Sequence, residues 1–308
     1  MEDKTKLAYL AAITYAVIIG LSFLFSKVAL QYAAPIDLLA YRFSASCLAL
    51  SVPILYKRKV MRLTFRRFVS LAPLAIFYPL LFFSFQTFGL RLATSSEAGI
   101  MQASAPVFIM LLARHFLGER LNAKQKASVL VSVLGVVFIL VMKGSAIGAA
   151  NFKGLVLLLC SVLSFSAYNI LARKLVRNYT NWELSFAMMF LSFLVFVPLS
   201  IIGHLRRGSL AALLVPLQSR GFVLSVLYLG VLSTLGTSML NNYALSQLEA
   251  SRVSVFGNLG TVISMLAGVL FLQEKLFYYH LLGTFLIIIG VVGTNYFALA
   301  KGGAKCKF

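Results

Sequence analysis

Two stretches of this chain are copies of one another: residues 88–137 and 243–292 align without a gap at a shift of 155 residues. The matched positions include Leu90/Leu245, Ser96/Ser251, Met110-Leu111/Met265-Leu266, Phe116-Leu117/Phe271-Leu272, Glu119/Glu274 and Gly135-Val136-Val137/Gly290-Val291-Val292. The copies lie in a chain that is 60% hydrophobic, so the duplicated unit is one embedded in a membrane. Duplicated membrane bundles that carry solutes hold them between the halves and move one half against the other. Transport is therefore the leading expectation.

Composition narrows the class. Only 12% of residues are charged, where a soluble domain has about a quarter. The chain supplies ten apolar stretches of spanning length, at 7–30, 36–56, 68–90, 95–117, 126–143, 154–175, 183–203, 221–245, 252–273 and 280–300. They are continuously apolar, which excludes the alternating pattern of a transmembrane β-barrel. The expected fold is an all-α integral membrane protein of ten helices, arranged as two five-helix units over residues 1–145 and 146–308. The first apolar run is long for a signal peptide and lacks a small-residue cleavage site, so it reads as the first span. Cys306 stands third from the end, which does not fit a prenyl signal. Cys47, Cys160 and Cys306 form no metal-ligand spacing, and no metal or cofactor is implied.

The net charge of +20 reads as topology. With both termini cytoplasmic, the inner segments carry 19 of 28 Lys and Arg, the outer ones 7, and Lys27 and Arg42 fall within spans. That asymmetry orients helices during insertion and favours contact with anionic lipid headgroups. No basic surface is interleaved with aromatics, so nucleic acid is not an expected partner. Five spans per copy is an odd number, so the second unit enters the membrane inverted, as alternating access requires.

The run Leu92-Ala-Thr-Ser-Ser-Glu-Ala-Gly-Ile100, then Ala105-Pro106-Val107-Phe108 and Leu117-Gly118-Glu119-Arg120-Leu121, resembles the EamA-type repeat of the drug/metabolite transporter superfamily. The second copy keeps Glu249-Ala250-Ser251 and Leu272-Gln273-Glu274-Lys275-Leu276, with Thr261 in place of Pro106. The resemblance covers essentially the whole chain. It implies a ten-helix bundle with a central cavity lined by spans 1, 3, 4, 6, 8 and 9, and export of amino acids or other small metabolites by many members.

Polar side chains within spans are costly unless they face protein or water, which makes them candidates for the solute path. Tyr78, Phe82 and Gln86 recur every four residues in span 3 and would stack on one helix face. The shift of 155 carries them onto Ser233, Thr237 and Asn241 in span 8, beside Ser238 and Asn242. Gln102 in span 4, Asn258 in span 9, and Tyr168 with Asn169 in span 6 complete the set. Rings for an apolar body and amides for polar ends suit an amphipathic solute. Glu97 and its counterpart Arg252 stand at span ends, where they either gate or attract solute or are interfacial helix-end charges. Lys27 and Arg42 are expected to snorkel to the outer interface; turned inward, they would favour an anion. Glu119 and Glu274 read as solvated or paired structural residues.

No phosphate-binding loop is present, and no carboxylate falls at the centre of a span. Facilitated diffusion or exchange follows, with proton antiport open through Glu97. An anion or phosphorylated-metabolite antiporter would need several Lys or Arg aimed inward. An intramembrane enzyme would need a buried acid, base or nucleophile cluster, and none is evident, so no catalytic residue is assigned. The expected partners are a small solute and the lipid bilayer, in the cell membrane. A homodimer is compatible with this reading.

Overall fold

The computed structural model describes residues 2–57, 65–118, 122–146, 149–175, 179, 181–237, 239–240, 243–244 and 250–299. Among the described residues the α-helices with full bounds are, in order, α1 (Glu2–Ala29), α2 (Pro35–Lys57), α3 (Phe65–Ser70), α4 (Ala72–Ala75), α5 (Phe82–Leu92), α6 (Ser95–Ala103), α7 (Ala105–Leu117), α8 (Ala123–Ala146), α9 (Ala149–Leu175), α10 (Asn181–Arg206), α11 (Arg220–Leu227), α12 (Ala250–Leu272) and α13 (Tyr278–Leu299). Among the described residues there is no strand. Among the described residues six helical segments are long and apolar enough to cross a membrane, and a seventh counts if Ala211–Gln218 and Arg220–Gly236, bent by 91°, form one span. Leu259–Leu272 and Tyr278–Thr294 are shorter apolar helices.

Local chemistry sets the helix ends. Thr94 caps α6 by accepting the Glu97 N–H, while the Glu97 carboxylate accepts the Thr94 N–H, a reciprocal capping box. Gly118 ends α7 at φ 68°, in the left-handed region that a side chain disfavours. Span 4 breaks between α6 and α7 at Ser104, where Pro106 takes an early position of the new helix. Pro198, by contrast, lies inside the continuous α10. Span 3 is broken more deeply. Between α4 and α5 the chain runs as a π-helix over Ile76–Leu81, and Tyr78 leaves helical geometry at φ −143°, ψ 119°.

The second copy repeats that feature. A π-helix covers Tyr228–Gly236, and shifting Ile76–Leu81 by 155 residues lands on 231–236, inside it. Wider i→i+5 turns of this kind are rare and occur frequently at functional sites.

Three pairs of spans that hold the same place in the two repeats face one another, and all three run antiparallel. Along α6 and α12, Ser95 lies against Glu274 and Ser264, whereas Gly99, further along α6, accepts from Thr261, further back in α12. Along α8 and α13, a side chain at Gly293 would meet Ser128, and one at Gly283 would meet Ile139. Along α2 and α10, Asp37 meets His204 while Phe43 stacks on Phe196. The two repeats are therefore inverted and interlocked, since α1 packs on α12 and α5 on α9 across the halves. Small residues on facing helices allow this contact. A Cβ at Gly20 of α1 would lie 2.6 Å from the Gly260 carbonyl, and one at Gly99 would lie 2.6 Å from Ser264 Cβ.

Candidate functional site

The broken segment of span 3 gathers aromatic rings. Tyr78 lies with its centroid 5.2 Å from Phe82, 5.0 Å from Tyr168 and 5.7 Å from Phe165, and Phe82 lies 5.6 Å from Phe165. Three predicted residues, Tyr78, Phe82 and Tyr168, thus meet at the junction of the π-turn, α5 and α9. They do not form the straight four-residue stripe expected, because the extended backbone at Tyr78 takes it out of the α5 register. Tyr78 is half-buried and Phe82 buried.

Gln86 follows one turn along α5. It is 7% exposed and makes no hydrogen bond to a described residue. An amide carries two donors and an acceptor, and leaving them unpaired in an apolar interior is costly unless water or solute reaches them. Asn169, one position beyond Tyr168, donates to the Phe165 carbonyl at 2.8 Å, so part of its amide serves its own helix. Gln102 is half-buried on α6. Ser238, Asn241 and Asn242 lie outside the described residues. Arg252 and Asn258 fall within α12, but their side chains lie outside the described ones.

Arg42 departs from the expectation of snorkelling. It is 3% exposed, lies with its guanidinium 4.0 Å above the Phe83 ring, and reaches Ser233 Oγ of the second repeat's π-turn at 3.5 Å. Its Nε is buried without a partner. The reason is packing. Ser46, one turn along α2, donates to both the Arg42 and Gly230 carbonyls at 2.9 Å, which pins this part of α2 against the other repeat and turns Arg42 inward. Lys27 does not snorkel either. Its ammonium donates to the carbonyls of Leu90 and Ala93 at 2.7 and 2.5 Å, satisfying the C-terminal end of α5.

Two carboxylate–histidine contacts join the repeats at the end of the bundle where α2, α6 and α13 begin. Asp37 accepts from Ser200 at 2.5 Å and lies 3.1 Å from His204 Nε2, beside a cavity of about 150 Å³ that Arg91 and Arg207 also line. Glu97, 1% exposed, lies 3.2 Å from His280 Nε2. The His280 Nδ1 accepts the Phe277 N–H, so the ring proton sits on Nε2 and points at the carboxylate. Both Glu97 oxygens therefore have fixed protein partners, the second being Thr94. Sequence reading missed the Asp37 cluster, because each residue stood alone at a span end; only the inverted pairing of spans 2 and 7 could have joined them.

Glu274 has a role that its neighbour Lys275 did not suggest. Its carboxylate accepts from the Ser95 N–H at 2.6 Å, the Ser96 N–H at 3.0 Å and Ser96 Oγ at 2.6 Å. The end of one repeat's span thus satisfies the N-terminal amides of its counterpart, where a negative charge also complements the helix dipole. Among the described residues no group of three His, Cys, Asp or Glu could hold a metal ion.

Comparison with known proteins agrees with this architecture. The model of the EamA-like transporter family matches residues 6–141 and again 152–296. A Bacillus subtilis (strain 168) protein named "Uncharacterized transporter YcxC" is 46% identical over 288 residues, covering 94% of this chain and 92% of that protein. A protein of Escherichia coli (strain K12) named "Probable amino-acid metabolite efflux pump" is 25% identical over 290 residues, covering 91% and 92%. One solved crystal structure superposes with a TM-score of 0.62 at 19% identity over 96% of this chain and 99% of its own, a likeness of fold. The two family matches coincide with the two inverted repeats, and the chain is a multi-pass membrane protein of the EamA-like transporter family.

Proposed function

We propose that this chain is a secondary transporter that passes amino acids or similar small amphipathic metabolites outward between its two repeats, by facilitated diffusion or exchange. Ten spans with both termini cytoplasmic are the topology of this reading. The observation that carries it is the pairing of inverted repeats with a π-turn at the equivalent point of each. Inverted copies have two related arrangements, one open to each side, and the π-turns are the places where the regular α-helical ladder of spans 3 and 8 is interrupted. The ring cluster around Tyr78 and the buried Gln86 amide supply apolar and polar contacts along one wall. The name of the Escherichia coli relative supports the substrate class.

In this arrangement the end where α2, α6 and α13 begin is the closed one. Asp37–His204, Glu97–His280 and Glu274 with Ser95 and Ser96 all join one repeat to the other there. The carboxylates with described side chains sit at helix ends, which supports movement down a gradient or exchange over an internal proton relay.

Gln86→Ala tests the path. Reconstituted protein should release a metabolite mixture from liposomes, and the variant should insert normally yet lose about tenfold of that flux, the scale of one lost charge-free polar contact in a water-poor site. Unchanged flux would remove Gln86 from the path.

A further inference from the structure

Arg42 is an intramembrane group whose chemistry the transport reading has not used. It stands two turns into α2, on the order of 10 Å from the helix start. Its cation is buried between the repeats. Phe83 faces it from α5, Ser233 from the second repeat's π-turn, and the Tyr78 hydroxyl lies within electrostatic reach. No carboxylate among the described residues pairs with it, and its Nε has no acceptor. Tyr78 and Ser233 are themselves the pair related by the 155-residue shift, so Arg42 is bonded to Ser233 of one π-turn and lies near Tyr78 of the other.

The energetic balance is incomplete. A guanidinium over a ring recovers only part of what it costs to carry an arginine into a membrane helix. A 3.5 Å contact to a hydroxyl is a weak supplement. A guanidinium presents five donors in a fork that matches a carboxylate, and here part of that fork is empty.

We propose that Arg42 binds the carboxylate of the transported solute, with the adjoining Tyr78, Phe83 and Phe82 rings against the solute's apolar body. The inference rests on the transport reading and narrows it to solutes with a free carboxylate. The anion fills the vacant donors as the repeats part and displaces the long contact to Ser233. Ser233, on the opposite repeat, then becomes free to move with its own half. One arginine suits a monocarboxylate better than a phosphate ester, which would call for several cations.

The test uses the full-length protein in liposomes loaded with an equimolar mixture of the twenty common amino acids and their α-amides. Release is followed by mass spectrometry against protein-free liposomes, with inorganic phosphate as a separate cargo. Wild type should release acids in preference to the matched amides. Arg42→Gln should lose about tenfold or more of the acid flux, and Arg42→Lys should keep part of it, because the charge remains while the fork is lost. Equal release of acid and amide by wild type, full acid flux in Arg42→Gln, or release of phosphate alone would each overturn the anion site while leaving transport standing. Release of nothing by wild type would overturn the transport reading, and the site with it. The wild-type comparison of acid and amide decides the matter even if the variants fail to fold.

Discussion

Joining α2 to α10 through cysteines at 37 and 200 should abolish flux, and reducing the link should restore it. The Asp37 carboxylate and the Ser200 hydroxyl lie 2.5 Å apart, so Asp37→Cys with Ser200→Cys, with Cys47, Cys160 and Cys306 replaced, can be bridged by a short thiol-reactive linker. The contact joins the first repeat to the second at an end where three further cross-repeat contacts, involving Glu97, Glu274 and Tyr41, also lie. If solute leaves by that end, the repeats must separate there in every cycle, and a covalent tie should cost more than about tenfold in rate. Each single-cysteine variant treated with the same reagent is the control. Undiminished flux in the linked protein would mean that this end does not open.

The second large effect concerns stability. Gly290→Val should unfold or disassemble the α8–α13 pair. A Cβ at Gly290 would lie 2.5 Å from Ser132 Cβ and 2.6 Å from both the Ser132 amide nitrogen and the Ser128 carbonyl. Two of those three atoms are backbone, so no side-chain rotation relieves the clash, and overpacking of this kind costs about 1–3 kcal/mol or more. Gly203→Val is the matched control, because nothing lies within 4 Å of a Cβ there. Thermal unfolding of the two variants in detergent should show a marked drop for position 290 and little change for position 203. Equal stability would contradict the close approach of α8 and α13.

The features that were legible in the sequence are those that the duplication and the apolar pattern record directly. The equivalence of 95–117 with 250–272 predicted two related spans, and these are α6–α7 and α12. The odd span count predicted inversion, and the antiparallel pairs express it. Tyr78, Phe82 and Tyr168 stood out in the sequence because rings inside spans do so by type, and the fold brings these three rings together.

What escaped the sequence depends on partners far along the chain. Glu274 was read beside Lys275, yet its ligands are Ser95 and Ser96, 178 and 179 residues away. Arg42 and Lys27 were read as solitary charges that reach for the interface. The fold instead gave Lys27 the end carbonyls of α5 and pressed Arg42 between the repeats through Ser46 and Gly230. The spacing of Tyr78, Phe82 and Gln86 assumed one unbroken helix, an assumption that the π-turn and the extended Tyr78 overrule.

The central claim is that a water-filled path runs past Gln86 and opens to one side of the membrane at a time. It is tested most directly by Gln86→Cys in protein lacking Cys47, Cys160 and Cys306, reconstituted in liposomes and exposed to a membrane-impermeant thiol reagent from each face in turn. The account predicts modification from both faces, with linking residues 37 and 200 removing reactivity from the face at that end and preserving it from the other. A thiol at position 86 that stays unreactive from both faces would mean that the space between the repeats is solid, and would contradict it.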